Sequence, residues 1–254
     1  MSKKISIKNM VKEHHNALVD YYTCDGVEPD ERKYFESLEK GDIILDLCCG
    51  TGRIAIALAK NGFLVRGIDL ANKAIKFAQE KAECYKGIVD FIIGDATKIP
   101  FKDKVFDRVI CTGASLDTLA SSSERLQSIL EMARVLKDDG TFFIQTNYFL
   151  PLKKLIWRTA GFVIKLPVRA LKSLLGKDCT GLYFGDSFCG IHFKIKVAGF
   201  SHTLSKRELN RYMESAKLEY KLEYKIETDK EYMGDKSFKA KFSRRLITVG
   251  HKNR

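Results

Sequence analysis

A doubly wound α/β fold is predicted by three observations in the sequence. Ile43 to Leu47 is a short apolar run that stops at a glycine turn; similar runs alternate with helical stretches over residues 41–147; and the second run closes on an acid, Asp69. Continuous apolar runs of this length suit strands covered on both faces, and strands alternating with helices imply a parallel sheet. Gly50 and Gly52 flank Thr51 where strand passes into helix, in a Gly-x-Gly-x-x-Ala spacing that ends at Ala55. Such a turn lets a ligand approach bare backbone while the unpaired N–H groups of the next helix face it.

Each element can be justified in order. Residues 4–39 read as helical segments broken between Thr23 and Pro29, with His14 and His15 expected at the surface and Asp20, Tyr21 and Tyr22 closing the first helix. After the strand at 43–47 and the helix IAIALAK comes the second strand, FLVRGID. Ala74, Ile75, Phe77, Ala78 and Ala82 then form one apolar face of a helix over residues 71–84. Ile88 to Ile93 is the third strand and VFDRVICTG the fourth. Ser121 to Ser123 can cap a helix from Glu124 to Leu136, and Asp138-Asp139-Gly140 is expected to turn into the fifth strand, TFFIQTN. Further on, Leu182–Phe188 and Ile191–Val197 are expected to pair around Cys189-Gly190. Ser205 with Glu208 forms a capping box that starts a helix KRELNRYMESA, and LEYKLEYKIET and RRLITVGHK read as two closing strands.

Composition narrows the function. A chain of 254 residues with 45% hydrophobic and 11% aromatic content is expected to bury the core of one large α/β domain. No apolar run approaches the roughly 20 residues that span a bilayer, and the lysine-rich start lacks a signal-peptide pattern, so a cytoplasmic location is expected. The seven cysteines, an odd number without a Cys-x-x-Cys pair, agree with that compartment. Cys48 and Cys49 read as small residues filling the strand-to-turn junction. Cys179, Cys189 and His192 do not have the spacing of a known zinc module, so no metal is expected. The net charge of +12 is uneven: residues 1–146 hold 21 Lys/Arg and 22 Asp/Glu, residues 147–254 hold 23 and 10. That asymmetry points to an anionic partner for the second part, RNA or a membrane surface, or else to a solvated basic face.

One residue separates this turn from a pyrophosphate loop. Asp46, four residues before Gly50, puts negative charge where a phosphate would be repelled and a cationic ligand welcomed. ILDLCCGTG, GID and GDATKIPF resemble the first three motifs of the class I S-adenosylmethionine-dependent methyltransferases, and the resemblance runs through EMARVLKDDGTFFI to about Asn147. CCGTG and RVLKDDG are similar to the quinone-biosynthesis methyltransferases of that class. The resemblance implies a Rossmann-like, seven-stranded sheet with an antiparallel last strand and an inserted cap segment. It implies S-adenosylmethionine as cofactor, bound by Asp46, Cys48, Gly50, Gly52, Asp69, Leu70, Asp95, Ala96 and Cys111. Asp69 would accept the ribose hydroxyls and Asp95 the adenine amino group. An N-terminal helical cap over residues 1–40 would pack over the cofactor, bringing Tyr21 to it. The core would occupy 41–147, the insertion 148–200, and the last helix with the closing strands 201–254.

The implied reaction is in-line methyl transfer to a small-molecule or lipid-like acceptor. An RNA acceptor and a non-catalytic cofactor-binding role are the alternatives. No Asn/Asp-Pro-Pro-Tyr/Phe motif follows the fourth strand, which argues against DNA as acceptor. If the acceptor needs a base, Asp117 and His202 are the candidates by position. Leu150 to Lys177 carries seven Lys/Arg and no acid among Trp157 and many aliphatic residues, the pattern of a lid or of a helix peripheral to an anionic membrane.

Overall fold

The computed structural model describes residues 6–19, 26–147, 186–189, 199–227 and 243–252. Tyr21, Leu150–Lys177, Cys179, His192 and the expected strand at 191–197 lie outside them.

The described chain begins with α1 (Ile7–Leu18), capped by Ser6 Oγ accepting from the Asn9 N–H, and α2 (Pro29–Phe35). The α/β core follows as β1 (Ile43–Leu47), α3 (Arg53–Lys60), β2 (Leu64–Asp69), α4 (Asn72–Lys81), β3 (Val89–Ile93), β4 (Phe106–Cys111), α5 (Ser122–Val135) and β5 (Leu136–Asn147). Beyond it come β6 (Asp186–Cys189), β7 (Gly199–His202), α6 (Lys206–Ser215), β8 (Leu218–Glu227) and β9 (Ser243–Lys252). Seven strands form one sheet in the order β3-β2-β1-β4-β5-β9-β8. β3 to β5 are mutually parallel, and β9 runs antiparallel to both β5 and β8, as the resemblance implies.

The two faces of β1 show why helices cover both sides. Ile44 packs with Ile110, Phe143 and the inner faces of α3 and α4, whereas Leu45 and Leu47 point the other way, into a core shared with α5 and α6. All three are essentially inaccessible to solvent, and each such burial contributes roughly 1.5–3 kcal/mol. The strand order reverses between β1 and β4, which opens a crevice at their carboxyl ends, the usual ligand position in open α/β sheets.

One detail differs from expectation. β5 begins at Leu136, which is fully buried and pairs with Phe106; the anticipated turn is instead an irregularity inside the strand, with Asp139 at φ 64° and the register shifting between Phe106 and Arg108. β6 pairs antiparallel with Gly199–His202; the expected partner at 191–197 lies outside the described residues. The pairing strand owes its place to Phe200 and His202, both buried in the tertiary fold.

Candidate cofactor site

The site grows from the turn after β1. Cys48, Gly50 and Gly52 all take positive φ, 60°, 54° and 78°, so the chain reverses sharply before α3 begins. Phe91 of β3 lies beneath this turn, its ring in a slot left by two absent Cβ atoms: one built on Gly52 would meet Phe91 Cζ at 2.6 Å, and one built on Gly67 would meet Cδ1 at 2.5 Å.

Asp46 leaves β1 into the base of the turn. It is 1% exposed, and its Oδ2 accepts the Ala55 N–H at 3.2 Å, so the carboxylate caps the start of α3 from inside the fold. Burial raises its pKa to about 7, opposed by the charge of Arg53 and by the Ala55 N–H. Arg53 is itself committed to Glu31, with Nη2 to Oε1 at 2.6 Å and Nη1 to Oε2 at 2.8 Å, and donates to the Gly26 carbonyl at 2.8 Å. Glu31 is fully buried, so this pair ties α2 to the first turn of α3.

Asp69 joins two elements. Its Oδ2 accepts the Gly50 N–H at 2.9 Å and its Oδ1 the Ala71 N–H at 2.8 Å, pinning the β1 turn to the end of β2. Each oxygen retains a second lone pair for a ligand hydroxyl. Asp95, after β3, takes the Thr97 N–H and hydroxyl on Oδ1 at 2.9 and 2.8 Å and pairs through Oδ2 with Lys8. Burial works against its charge, but the Lys8 and Thr97 donors outweigh it and hold the carboxyl below the usual range.

These groups surround one cavity. Its lining includes Cys48, Asp69, Leu70, Asp95 and Ala96 from the predicted set, Ser115 and Thr118–Ala120 from the segment after β4, Glu124 of α5, and Lys8, Val11, Lys12 and His15 of α1. Asp46, Gly50, Gly52 and Cys111 lie outside that lining. The Cys48 thiol hydrogen-bonds to that of Cys111, which together with burial holds it well above the usual thiol range, as expected of a packing residue and not a reactive one. Among the described residues no cluster of three or more His, Cys, Asp or Glu could hold a metal.

The candidate bases stand away from the cavity lining. Asp117 is fully buried, its Oδ2 accepts the Asn147 N–H at 2.6 Å, and its Oδ1 has no partner among the described residues; burial pushes its pKa well up against the Asn147 and Arg125 contributions. His202 is fully buried with Nε2 at 3.2 Å from Glu208, the same carboxylate that completes the α6 capping box. His15 departs from its expected surface position: it lines the cavity near enough to Asp69 to feel its charge, and burial, the stronger influence, lowers its pKa. Sequence reasoning also missed Gln145, whose Oε1 accepts the Gly113 N–H at 3.0 Å and fixes the loop after β4. Lys8, Val11, Lys12 and His15 recur at helical spacing, a periodicity that could have marked the stripe facing the site.

Residues 44–140 match the family model described as a methyltransferase domain. They are thus similar to a methyltransferase domain. Of the expected S-adenosylmethionine site, Asp69 has the chemistry to hold vicinal hydroxyls, since each of its two oxygens keeps a lone pair beyond the backbone N–H it accepts.

Among relatives, the putative methyltransferase YqeM of Bacillus subtilis is 41% identical over 109 residues, 43% of either chain. The demethylmenaquinone methyltransferase of Lactobacillus johnsonii is 34% identical over 141 residues, 50% of this chain and 54% of that one. The chloroplastic 2-phytyl-1,4-beta-naphthoquinone methyltransferase of Arabidopsis thaliana is 36% identical over 107 residues, 39% of either chain. The chain thus spans about half or less of the length of the curated relatives it matches. A SAM-dependent methyltransferase from Methanosarcina mazei superposes with a TM-score of 0.68 at 20% identity, covering 91% of this chain and 99% of that one, which shows the shared fold. No helix of the described residues is long and apolar enough to cross a membrane.

Proposed function

We propose that the chain transfers the methyl group of S-adenosylmethionine to a small-molecule acceptor, with a hydroxylated 1,4-naphthoquinone as the first class to test. The observation that carries this reading is the convergence of Asp46, Asp69 and Asp95 on the carboxyl ends of β1, β2 and β3. The quinone acceptors named for two of the relatives support the acceptor class.

In this reading Asp69 holds the ribose hydroxyls, Asp95 the adenine amino group, and Asp46 the ammonium. The bound cofactor supplies an electrophilic methyl on a sulfonium. The chain's task is then chiefly orientation and exclusion of water, with an in-line nucleophile held near roughly 3 Å. Cys48, Leu70 and Ala96 shape the cofactor's enclosure, Cys111 adjoins it, and Ser115 with Thr118–Ala120 wall the acceptor side. A base is needed only for a protonated acceptor, and the two expected candidates, Asp117 and His202, are both buried outside the cavity lining.

Replacing Asp69 with Asn keeps the shape but gives up one acceptor and the charge. S-adenosylhomocysteine should bind about ten- to a hundredfold more weakly by calorimetry, as the loss of charged hydrogen bonds worth roughly 1.5–3 kcal/mol requires. Unchanged affinity would remove Asp69 from the cofactor set.

The acceptor assay uses the cofactor labelled in its methyl group, offered with a hydroxylated naphthoquinone and, separately, with structured RNA. Label is expected in the organic extract of the first mixture. Label in RNA alone would favour the second reading, which rests on the basic balance of residues 147–254. Label in neither, with cofactor binding intact, would overturn the small-aromatic assignment.

A further inference from the structure

Two basic side chains of α1 stand over the two acids that the proposed reading reserves for adenosine. Lys8 is paired with Asp95 Oδ2, and His15, two turns on, lies close to Asp69. Val11 and Lys12 line the roof between them, and the space left beneath is about 60 Å³. Pockets that take small ligands measure roughly 300–1,000 Å³, so the enclosed space under α1 is small for adenosine where the helix now sits.

The helix is fastened unevenly. Near its C-terminal end Asn16 Oδ1 accepts the Lys73 N–H at 3.0 Å and Asn16 Nδ2 donates to Asn72 Oδ1 at 3.2 Å, while Val19 is buried against Ala71 and Ala74. Over the cavity its N-terminal half carries the Lys8–Asp95 pair, whose side chains are 37% and 29% exposed, and the helix also packs against β7.

We propose that α1 is a latch in which the Lys8 ammonium substitutes for the adenine amino group on Asp95, so that cofactor entry and the Lys8–Asp95 pair exclude one another. Adenine displaces Lys8, and the N-terminal half of α1 lifts about the fastening at Asn16. Lys8 is therefore a competitor for the site and not one of its ligands. This rests on the cofactor reading of Asp95 given above.

The test replaces Lys8 with Met in the full chain and follows S-adenosylhomocysteine by calorimetry and α1 by amide hydrogen exchange. Losing a half-exposed ion pair that competes with the ligand should tighten binding about two- to fivefold. It should also speed exchange of the Val11–Ala17 amides in the ligand-free chain, and the affinity gap should close at high salt, where the wild-type pair is screened. Weaker binding by Lys8→Met would make Lys8 a ligand of the cofactor and overturn the latch; equal affinity with equal exchange would overturn it too. Asp95→Asn separates this from failure of the site. If Lys8→Met/Asp95→Asn binds as tightly as Lys8→Met alone, where no latch is left to release, the assignment of adenine to Asp95 falls.

Discussion

Gly52→Ala is expected to destabilise the chain by about 3 kcal/mol. Two costs combine. At φ 78° an L-residue pays roughly 1–2 kcal/mol for the left-handed conformation. The new methyl also meets Phe91 Cζ at 2.6 Å and Ala78 Cβ at 3.1 Å, and overpacking of a tight core costs about 1–3 kcal/mol. The ring has no easy escape, because Phe91 is 4% exposed and the same edge of the ring also fills the space at Gly67. Urea unfolding should show the loss as a lower midpoint with unchanged slope. Adding Phe91→Leu should recover part of it, since the two changes share one slot and cannot be additive. A neutral Gly52→Ala, or strict additivity with Phe91→Leu, would mean the slot is not tight.

Asp46→Asn is expected to act in the opposite direction on stability while weakening cofactor binding. The folded carboxyl has a pKa of about 7 against a reference of 3.8, so between those values the native state holds a proton that the unfolded state has released. Stability therefore falls as pH rises from about 4 to 7 and levels off above. A shift of this size corresponds to at most about 4 kcal/mol at 1.36 kcal/mol per unit. Asparagine removes that penalty and can still accept from Ala55. The variant should exceed wild type by about 2–4 kcal/mol at pH 8 and by little at pH 4, read from urea unfolding at both. If the difference between the two proteins is the same at both pH values, Asp46 is not the group that titrates. S-adenosylhomocysteine affinity should fall in the same variant, a trade of function for stability common at ligand sites.

How far the site could be read beforehand depended on how local its parts are. Asp46, Gly50, Gly52 and Asp69 fall within one strand-turn-helix-strand unit, where spacing along the chain is nearly spacing in the fold, and all four converge on the β1 turn. Lys8 and Asp95 are 87 residues apart, and nothing local in either segment announces their meeting. His15 was misjudged because its neighbours are polar, although the stripe it shares with Lys8 and Val11 turns inward. Gly199–His202 carried no strong alternation of its own, and its pairing with β6 goes with the burial of Phe200 and His202 in the fold. Glu31 and Arg53 carry no motif at all; their pairing follows from α2 lying against α3, which only the folded chain reveals.

The position of β9 bears on how the protein must be made. β5 gains its second neighbour from a strand that begins about a hundred residues later in the chain, so at ribosomal rates of about 5–20 residues per second the nascent sheet waits roughly 5–20 s with Phe142 to Thr146 at an open margin. During that interval the row of unpaired amides and carbonyls along β5 is a template for any other extended chain nearby. Synthesis halted before Ser243 would make that exposure permanent, and such fragments should collect in inclusion bodies while the full-length product does not.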